Sequence, residues 1–443
     1  MKKIQLIALF LVAGFYSRAQ DSTYHFSLQQ AVDYAYQNQV SVKNALIDER
    51  YTKQKVNEVK GMLTPQINGS FEINDYIELP TSFIPTDFLG GESGSIAAVK
   101  FGQRYTSSAG ISASQILFDG SYFLGVKASK VYVELSRKQT QQTKIETAIA
   151  VSKAYYNVLV NSARMELVNA NETRLKKLRD DTKAMFDNGI VEKIDYNRTE
   201  LAYNNITVQK QNTERFLALS YSLLKFQMGM DINSKLELTD VLNESKWADF
   251  IMPEQVDCNK RNEYSLLQTQ MHFQELDLKR HRAEYMPSLA AFGSLSANAS
   301  RNTFNIFNSD YRWYPMSVIG VRLSVPIWDG FQKNARVQQA KLEVMKTNNS
   351  LANLKQGVSL EYATAKMSWQ NNLAELETSK KNRELASEIS RVSKIKYDSG
   401  VGSSLELVDA ESSLKEAETN YFNSLYNTII SKLDIDKALG NIK

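Results

Sequence analysis

Residues that could form a catalytic or metal centre are scarce in this chain of 443 residues. Cys258 is the single cysteine, so the chain cannot form an internal disulfide, and His25, His272 and His281 are its only histidines. These residues do not make a ligand cluster of the kind that holds zinc, and no pairing of a nucleophile with a base is evident. The sequence therefore predicts a protein that is not an enzyme and that needs no metal or cofactor.

The chain also lacks an excess of one charge and a long apolar run. Its formal net charge is +4, and loss of Lys2, Lys3 and Arg18 with a cleaved leader would leave 50 of its 53 basic residues against 49 acidic ones. We therefore expect no nucleic-acid partner. After residue 20 no stretch of about 18 uncharged apolar residues occurs, so no transmembrane helix is predicted.

The N-terminus has the pattern of a secretory signal peptide, predicted over 1–19. Lys2 and Lys3 precede the apolar run 4–15, and small residues flank the expected cleavage site between Ala19 and Gln20. The cleavage site carries no cysteine, so a lipid anchor is not expected. The mature chain is then either soluble in an exported compartment or inserted into a membrane as strands.

A repeated pattern organises the mature chain. Residues 110–120 and 320–330 are similar at an offset of 210, and both segments end in an aromatic residue, Asp and Gly. Residues 186–189 and 397–400 are similar at an offset of 211. The sequence therefore predicts an internal two-fold repeat.

Each predicted repeat contains a helix, two strands, a very long helix and a returning helix. Repeat 1 spans 20–229, an equatorial linker spans 230–255, and repeat 2 spans 256–443. The elements of repeat 1 are helix 28–61, strands at about 66–76 and 103–117, long helix 121–185 and return helix 191–228. Those of repeat 2 are helix 256–285, strands at about 288–299 and 316–327, long helix 331–396 and return helix 403–439.

The strand predictions rest on apolar or small residues at alternate positions. These residues are Ile67, Gly69, Phe71 and Ile73; Tyr105, Ala109, Ile111 and Ala113; Leu289, Ala291, Leu295 and Ala297; and Ile319, Val321, Leu323, Val325 and Ile327. Alternation alone is more typical of a half-buried sheet in a soluble protein. Here, however, no helix is predicted within either hairpin to cover the apolar face, which favours a face exposed to lipid.

The two long helices predict coiled-coil packing. No proline interrupts either segment, and Gly125 and Gly357 are the only glycines within them. At 1.5 Å per residue, about 65 residues reach roughly 100 Å. Apolar and small residues recur there at spacings of three and four, which is the coiled-coil period.

Four strands are too few to close a barrel in a membrane, where unpaired strand edges are not tolerated. If the hairpins insert, several copies must share one barrel, with the long helices projecting from its base.

At this point the motifs resemble those of the TolC-like outer-membrane efflux proteins, over essentially the whole mature chain. The resemblance rests on Pro65 and Pro287 before strands, on residues 117–120 and 325–330, and on residues 397–410 followed by a helix that ends in residues 437–440. It implies a mixed α+β membrane protein: a trimer with a shared twelve-stranded transmembrane β-barrel, four strands per chain, continued by a twelve-helix periplasmic α-barrel of coiled-coil helices.

The resemblance also implies the function and the partners. The protein would be a homotrimeric, passive exit duct in the lipid of the outer membrane of a Gram-negative bacterium, with a large periplasmic portion. Small molecules would reach it from an inner-membrane RND, ABC or MFS transporter through a periplasmic adaptor.

Several residues have roles by this resemblance. Those at the turns between barrel and helices are Pro65, Asp119, Gly120, Pro287, Asp329 and Gly330. Those at the adaptor-docking tips are Gly189, Ile190, Gly400 and Val401. Those at the pore or gate are Tyr397, Glu406, Asp409 and Asp195. The family has an aspartate where Glu406 stands and an arginine where Gly402 stands, so the network that closes the entrance must differ here.

The sequence alone leaves alternatives open for the role of two acidic residues and for the function of the chain. Glu406 and Asp409 share one helical face, which could line a pore as rings of carboxylates or simply face solvent. The chain could be an exit duct for secreted proteins, or an exported coiled-coil structural or adhesion protein.

Overall fold

The structure is a computed structural model that describes residues 23–442 except 86, 88, 89, 91–93, 243–251, 307, 309 and 311. The predicted signal peptide and its cleavage site between Ala19 and Gln20 lie outside the described residues, as does part of the predicted linker. The α-helices are α1 (Leu28–Asn38), α2 (Val40–Gly61), α3 (Gly120–Asp187), α4 (Lys193–Met228), α5 (Asn262–Ala283), α6 (Gln332–Asp398) and α7 (Ser404–Ala438). The strands are β1 (Tyr24–Phe26), β2 (Gln66–Asp75), β3 (Thr81–Pro85), β4 (Ile96–Lys100), β5 (Tyr105–Phe118), β6 (Leu236–Leu238), β7 (Ser288–Arg301) and β8 (Tyr314–Ser324).

The chain divides into two units. The sheet unit comprises Arg50–Ser136 and Gln268–Asn349, and the helix unit comprises Met1–Glu49, Arg137–Leu267 and Ser350–Lys443. The helices α3 and α6 are 68 and 67 residues long, and their ends lie within two residues of the predicted ones.

The sheet unit contains a four-stranded antiparallel sheet in the order β2-β5-β7-β8. Its register aligns Phe71 with Ala109 and Ala109 with Ala297, and it aligns Gly293 of β7 with Ile319 of β8. Because side chains alternate between the two faces of a strand, this register brings the predicted apolar positions of all four strands to one face. The strands β2 and β8 each have one neighbour in this sheet, so they are its two edges.

The two faces of this sheet differ in polarity. The large apolar side chains of one face are exposed: Ile67, Phe71, Ile73, Ile111, Leu295, Ile319, Val321 and Leu323. The opposite face carries mainly small and polar residues: Gln66, Asn68, Ser70, Glu72, Thr106, Ser108, Ser112, Ser294, Ser296, Asn298, Arg322 and Ser324. We refer to the first as the apolar sheet face and to the second as the polar sheet face.

The helix unit has its largest core where α1 packs against α3 and α4. This core includes Ala35 of α1, Val151 and Tyr155 of α3, and Met228 of α4. The Tyr155 hydroxyl donates to the Asp240 carboxylate at 2.9 Å, after β6. Asp240 also accepts a hydrogen bond from the backbone N–H of Leu28 at 2.8 Å. The start of α1 is thereby fixed against α3.

The structure differs from the sequence predictions in several places. The helix predicted over 256–285 begins only at Asn262, after a 3-10 turn at Cys258–Lys260, and the strand predicted to end at 327 ends at Ser324. The helix predicted over 28–61 is two helices, α1 and α2, because Gln39 between them has extended backbone angles. Gly229, which ends α4 with a φ of 70°, lies against this break: a Cβ there would come within 2.6 Å of the Asn38 carbonyl oxygen. The parallel pair β1 and β6 and the hairpin β3–β4 were not predicted.

None of the helices in the described residues combines the length and the apolar composition that crossing a lipid bilayer requires.

Candidate functional site at the helix turns

Two turns reverse the chain at corresponding ends of the helix pairs α3–α4 and α6–α7. At the first, Gly189 has a φ of 73°, and the N–H of Ile190 donates to the Met185 carbonyl at 2.8 Å. At the second, Gly400 has a φ of 76°, and the N–H of Val401 donates to the Lys396 carbonyl at 3.0 Å. Both are Schellman motifs, in which a left-handed residue satisfies the last helix carbonyls, and glycine adopts that conformation without strain.

The predicted docking residues occupy these turns. Ile190 is 71% exposed and Val401 is 82% exposed, each directly after its glycine. An apolar side chain that is exposed at the tip of a helical hairpin is available to a partner, although single exposed apolar residues are common on any protein surface.

The two turns also contact each other. Asp195, in the first turn of α4, accepts a hydrogen bond from the hydroxyl of Ser404 in α7. The guanidinium of Arg198 lies 3.6 Å from the same carboxylate and donates to the Ser404 hydroxyl at 3.3 Å. The charge of Asp195 is therefore offset by Arg198, and this predicted pore acid is half-buried between α4 and α7.

Tyr397 lies inside the helix unit. Its side chain is 8% exposed and packs with Leu178 of α3 and Leu407 of α7. Its hydroxyl is 3.0 Å from the hydroxyl of Thr182 in α3. Since Tyr397 belongs to the last turn of α6, this contact ties the end of α6 to α3. The sequence singled out Tyr397 but not Thr182, which lies 215 residues away.

Glu406 and Asp409 are both exposed at the start of α7, but their surroundings differ. The carboxylate of Glu406 is 2.9 Å from the ammonium of Lys396 in α6. Asp409 makes no ion pair within the part of the chain that the structure describes. Between these helices, a Cβ on Gly402 would come within 2.9 Å of the Lys396 Cβ, so the turn is too tight there for a side chain unless Lys396 shifts.

A buried polar network joins α3, α6 and α7 further along the bundle. Arg174 donates to Glu411 at 2.7 Å and to Asn171 at 3.1 Å, and Asn171 donates to Glu418 at 2.7 Å. Ser390 of α6 donates to Glu411 at 2.7 Å. Glu411 and Glu418 are each 8% exposed. Burial raises the pKa of Glu418 above its ordinary value of 4.5, although Asn171 and Arg174 act in the opposite direction.

Sequence reasoning missed this network. The available signal was the seven-residue spacing of Glu411 and Glu418 in α7, which places both on the side of the helix that carries Leu407, Leu414 and Leu425. Carboxylates at such positions are buried on packing, so they must find partners.

The predicted turns between strands and helices lie where expected along the chain. Pro65 and Pro287 directly precede β2 and β7. The Asp119 carboxylate accepts the N–H groups of Ser121 and Tyr122 at 2.9 and 3.1 Å and so caps α3. Gly120 allows the start of α3 to lie close to Met286, because a Cβ on Gly120 would lie 2.8 Å from the Met286 sulfur.

The second such turn is built differently. The Asp329 carboxylate accepts the N–H of Lys333 at 3.0 Å, in the first turn of α6. Gly330 has a φ of 64°, and Phe331 after it has a φ of 65°. No group of three or more His, Cys, Asp and Glu side chains in the described residues is placed to hold a metal ion.

Comparison with known proteins supports the predicted resemblance. The model of the outer membrane efflux protein family matches residues 274–441. TolC of Vibrio cholerae is 22% identical over 346 residues, covering 76% of this chain and 77% of that protein. TolC of Escherichia coli is 23% identical, and the match covers 100% of this chain and 87% of that protein. The alkaline protease secretion protein AprF of Pseudomonas aeruginosa is 22% identical over 54% of this chain and 50% of its own length.

Among solved structures, CusC superposes with a TM-score of 0.74 at 16% identity, over 96% of this chain and 95% of CusC. This likeness shows a shared fold. Together with the sequence matches, it confirms the predicted resemblance to the TolC-like outer-membrane efflux proteins, whose matched members are channel proteins and not enzymes, and the predicted location in the outer membrane of a Gram-negative bacterium with a large periplasmic portion.

Proposed function

We propose that three copies of this chain form a passive exit duct of a tripartite efflux pump. They would share a twelve-stranded transmembrane β-barrel, four strands per chain, which continues into a periplasmic α-barrel of twelve helices. Small molecules such as drugs, toxic compounds or metal ions would enter from an inner-membrane RND, ABC or MFS transporter through a periplasmic adaptor. In this scheme the chain supplies no chemistry and only a continuous aqueous path.

The observation that carries this proposal is the four-stranded sheet. Its apolar sheet face is exposed along all four strands, and Ile319 in the edge strand β8 is 92% exposed. Lipid would cover that face, while the polar sheet face would line the aqueous path. The open edges of β2 and β8 would pair between copies, because unpaired backbone groups in a bilayer cost several kcal/mol each.

The helix α4 supports assembly in the periplasmic part. An exposed row of apolar residues runs along it: Ile194, Leu201, Val208, Phe216, Leu219, Leu223 and Phe226. The spacings between these residues are multiples or sums of three and four, so the row lies on one side of the helix and has the period of a coiled-coil seam. We call this row the α4 stripe. A neighbouring copy would cover it.

The turns between helices would be the entrance and the docking surface. Gly189, Ile190, Gly400 and Val401 would contact the adaptor. Tyr397 would help to hold the entrance closed through its buried contact with Thr182. Glu406 and Asp409 would form rings of carboxylates around the path, whereas the contacts of Asp195 with Arg198 and Ser404 favour a structural role for that acid.

Cysteine cross-linking between β2 and β8 tests the shared barrel. Within one chain, β5 and β7 separate these strands, so their Cα atoms are about 14 Å apart, whereas a disulfide needs about 7 Å or less. In a Cys258→Ser background, Asn68→Cys combined in turn with Met316→Cys, Val318→Cys or Ser324→Cys should therefore link only different copies. We expect covalent dimers and trimers from outer membranes on non-reducing gels.

The matched control is Asn68→Cys with Ser112→Cys, which are paired directly in the sheet of one chain. That pair should form an internal disulfide and run as a monomer. If the control pair oxidises while none of the three β8 pairs gives a ladder, the shared barrel is excluded.

A second function has one specific observation in its favour. AprF, which is similar to just over half of this chain, is named as a secretion protein for alkaline protease. The same duct could therefore serve the export of a protein. Photo-cross-linking from Ile190 and Val401 in cells would separate the two functions, because the captured adaptor would lead either to a drug or metal transporter or to the ABC transporter of a secretion system.

A further inference from the structure

The polar sheet face carries few charges. Along the four strands β2, β5, β7 and β8, the only charged side chains on that face are those of Glu72 and Arg322. The register places Glu72 in the same row of the sheet as Tyr314, which is eight residues before Arg322 in β8. The two charges are therefore roughly 27 Å apart along the strands, and they cannot pair with each other.

Arg322 lies near the end of β8, beside an aromatic ring. Phe292 of β7 is aligned with Gly320, and a Cβ on Gly320 would come within 2.8 Å of the Phe292 ring, so the ring covers that glycine. The guanidinium carbon of Arg322 lies 5.2 Å from the centre of the same ring. A cation over an aromatic face is attracted by the electrons of the ring. Phe292 therefore holds the guanidinium in place without neutralising its charge.

No carboxylate compensates the charge of Arg322. Its side chain is exposed and makes no ion pair with any residue that the structure describes. By contrast, the guanidinium groups of Arg104 and Arg336 in the same unit lie 2.8 and 3.1 Å from carboxylates. A guanidinium has several N–H donors and no acceptor. The donors of Arg322 are therefore available to an acceptor that comes from outside the chain.

In the proposed trimer, three Arg322 side chains would lie at one level of the aqueous path. Twelve strands at a spacing of about 4.8 Å and a tilt of about 40° close a barrel whose backbone is roughly 24 Å across. An arginine side chain reaches several ångströms inward from that wall. An ion on the axis is then within one Debye length, about 8 Å at physiological ionic strength, of all three guanidinium groups. Their combined charge attracts an anion at this level and repels a cation.

We propose that the three Arg322 guanidinium groups form a binding site for organic anions at the end of the barrel where β8 leads into α6, with Phe292 as the residue that positions each guanidinium. The inference rests on the proposed shared barrel and adds a preference for one class of molecule within its path. Carboxylate and sulfonate groups would accept paired N–H groups from Arg322, since the planar guanidinium matches two oxygen atoms at once. An anion that has passed the acidic entrance at Glu406 and Asp409 would be drawn toward this ring.

Block of single channels by pyranine, an aromatic trisulfonate, tests the site in planar bilayers. We expect pyranine to block the parent channel. In Arg322→Gln the concentration that gives half block should rise by about tenfold or more, because one charge-assisted hydrogen bond is worth roughly that factor. The reversal potential in a salt gradient should shift toward a stronger cation preference in the same variant.

Three further variants separate the guanidinium from its charge. Arg322→Lys keeps the charge but not the paired donors, so it should keep the reversal potential of the parent and lose most of the block. Phe292→Leu keeps an apolar side chain next to Gly320 and removes the ring, so it should weaken the block and leave the reversal potential unchanged. Glu72→Gln removes the other charge of the polar sheet face and is the control, in which the block should not weaken.

The outcomes that contradict the site are distinct. A parent channel that pyranine does not block, or undiminished block in Arg322→Gln, overturns the site. Block of Arg322→Lys equal to that of the parent shows attraction by charge alone and overturns recognition by the guanidinium. Loss of block in Glu72→Gln as large as in Arg322→Gln shows that the effect does not belong to the Arg322 ring.

A separate measurement tests the path on which the site depends. Ser294 lies on the polar sheet face, so modification of Ser294→Cys by a charged thiol reagent, in the Cys258→Ser background, should change the conductance. If it does and Arg322→Gln leaves the block undiminished, the anion site fails while the shared barrel stands. If the protein forms no channels, or if the modification leaves the conductance unchanged, the polar sheet face does not line a path and both proposals fail.

Discussion

At the scale of single residues, Lys396 distinguishes the two carboxylates of the proposed entrance. The ammonium of Lys396 lies 2.9 Å from the carboxylate of Glu406. The pair is about half exposed, so solvent screens it, but the positive charge still lies next to Glu406 and not next to Asp409. If both acids face the path, Asp409 presents the less compensated negative charge to a passing ion.

We therefore predict unequal effects on ion selectivity. Asp409→Ala should lower the cation preference of single channels in planar bilayers, and their block by divalent cations, more than Glu406→Ala does. Lys396→Ala should raise both, because it removes the positive charge beside Glu406. The measurements are reversal potentials in a salt gradient and titrations with a divalent cation.

Asp195→Ala provides the control, because Arg198 and Ser404 already contact that carboxylate. It should change selectivity less than Asp409→Ala. Unchanged selectivity and block in the Glu406→Ala, Asp409→Ala and Lys396→Ala proteins would place these residues on the outer surface of the helices.

Single residues are predictable from the sequence where a local rule fixes them. Gly189 and Gly400 were predicted at the docking tips, and the structure places them in the turns, where a helix that reverses needs a left-handed residue at its end. The contact of Tyr397 with Thr182 was not predictable, since the two hydroxyls come from helices far apart in the chain and their meeting depends on how α3 and α6 pack. The pairing of Asp195 with Ser404 escaped prediction for the same reason.

At the scale of helices, the buried polar network makes the stability of the protein depend on pH. The folded-state pKa of Glu418 is raised from 4.5, mainly by burial, so the folded state holds its proton more tightly than the unfolded state does. Stability is then greatest below the unfolded pKa and decreases as the pH rises toward the folded pKa. Asn171, Arg174, Arg383 and Glu411 surround this carboxylate and modify the effect.

Two isosteric substitutions seven residues apart in α7 should have opposite effects on the stability of the protein at neutral pH. Glu418→Gln removes a buried charge and keeps an acceptor for Asn171, so the variant should unfold at a higher temperature than the parent at neutral pH and at a similar temperature in acid. Glu411→Gln leaves the Arg174 guanidinium without its charged partner and should cost about 2 kcal/mol per chain at neutral pH.

Thermal unfolding of the purified trimer, followed by circular dichroism at several pH values, measures both effects. If Glu418→Gln destabilises the protein at neutral pH as much as Glu411→Gln does, the two carboxylates share one ionised network and the proposed difference between them is wrong.

The sequence predicted the long elements better than the short ones, and the reason is physical. The helices α3 and α6 and the strands of the sheet carry many periods of an apolar pattern, so their positions are well determined. β1 and β6 are three residues long, which is too short to show a period, and they pair only because α1 and the segment after α4 come together. The break at Gln39 depends on the approach of Gly229, which lies 190 residues away.

At the scale of the whole molecule, the proposed assembly would cover apolar surface that a single chain leaves exposed. The α4 stripe and the apolar sheet face would have different covers in the proposed trimer, a neighbouring copy for the first and lipid for the second. A change in the α4 stripe should therefore weaken the contacts between copies without affecting the insertion of the sheet into the membrane.

Leu219→Glu tests this separation, with Ala218→Glu as its matched control. Both residues are exposed in α4, but about 100° of helical rotation separates them, so Ala218 lies beside the α4 stripe and not in it. In the trimer, Leu219→Glu would place three carboxylates in apolar contacts, which is costly because a buried charge lacks the solvation it has in water. The heat-sensitive trimer should therefore dissociate at a lower temperature on mild gels, while the protein still fractionates with the outer membrane.

Ala218→Glu should change the dissociation temperature much less. Equal loss of trimer in both proteins would show that the α4 stripe is not the contact between copies, and a Leu219→Glu protein that is missing from the outer membrane would show that assembly of the helices and insertion of the sheet are not separable.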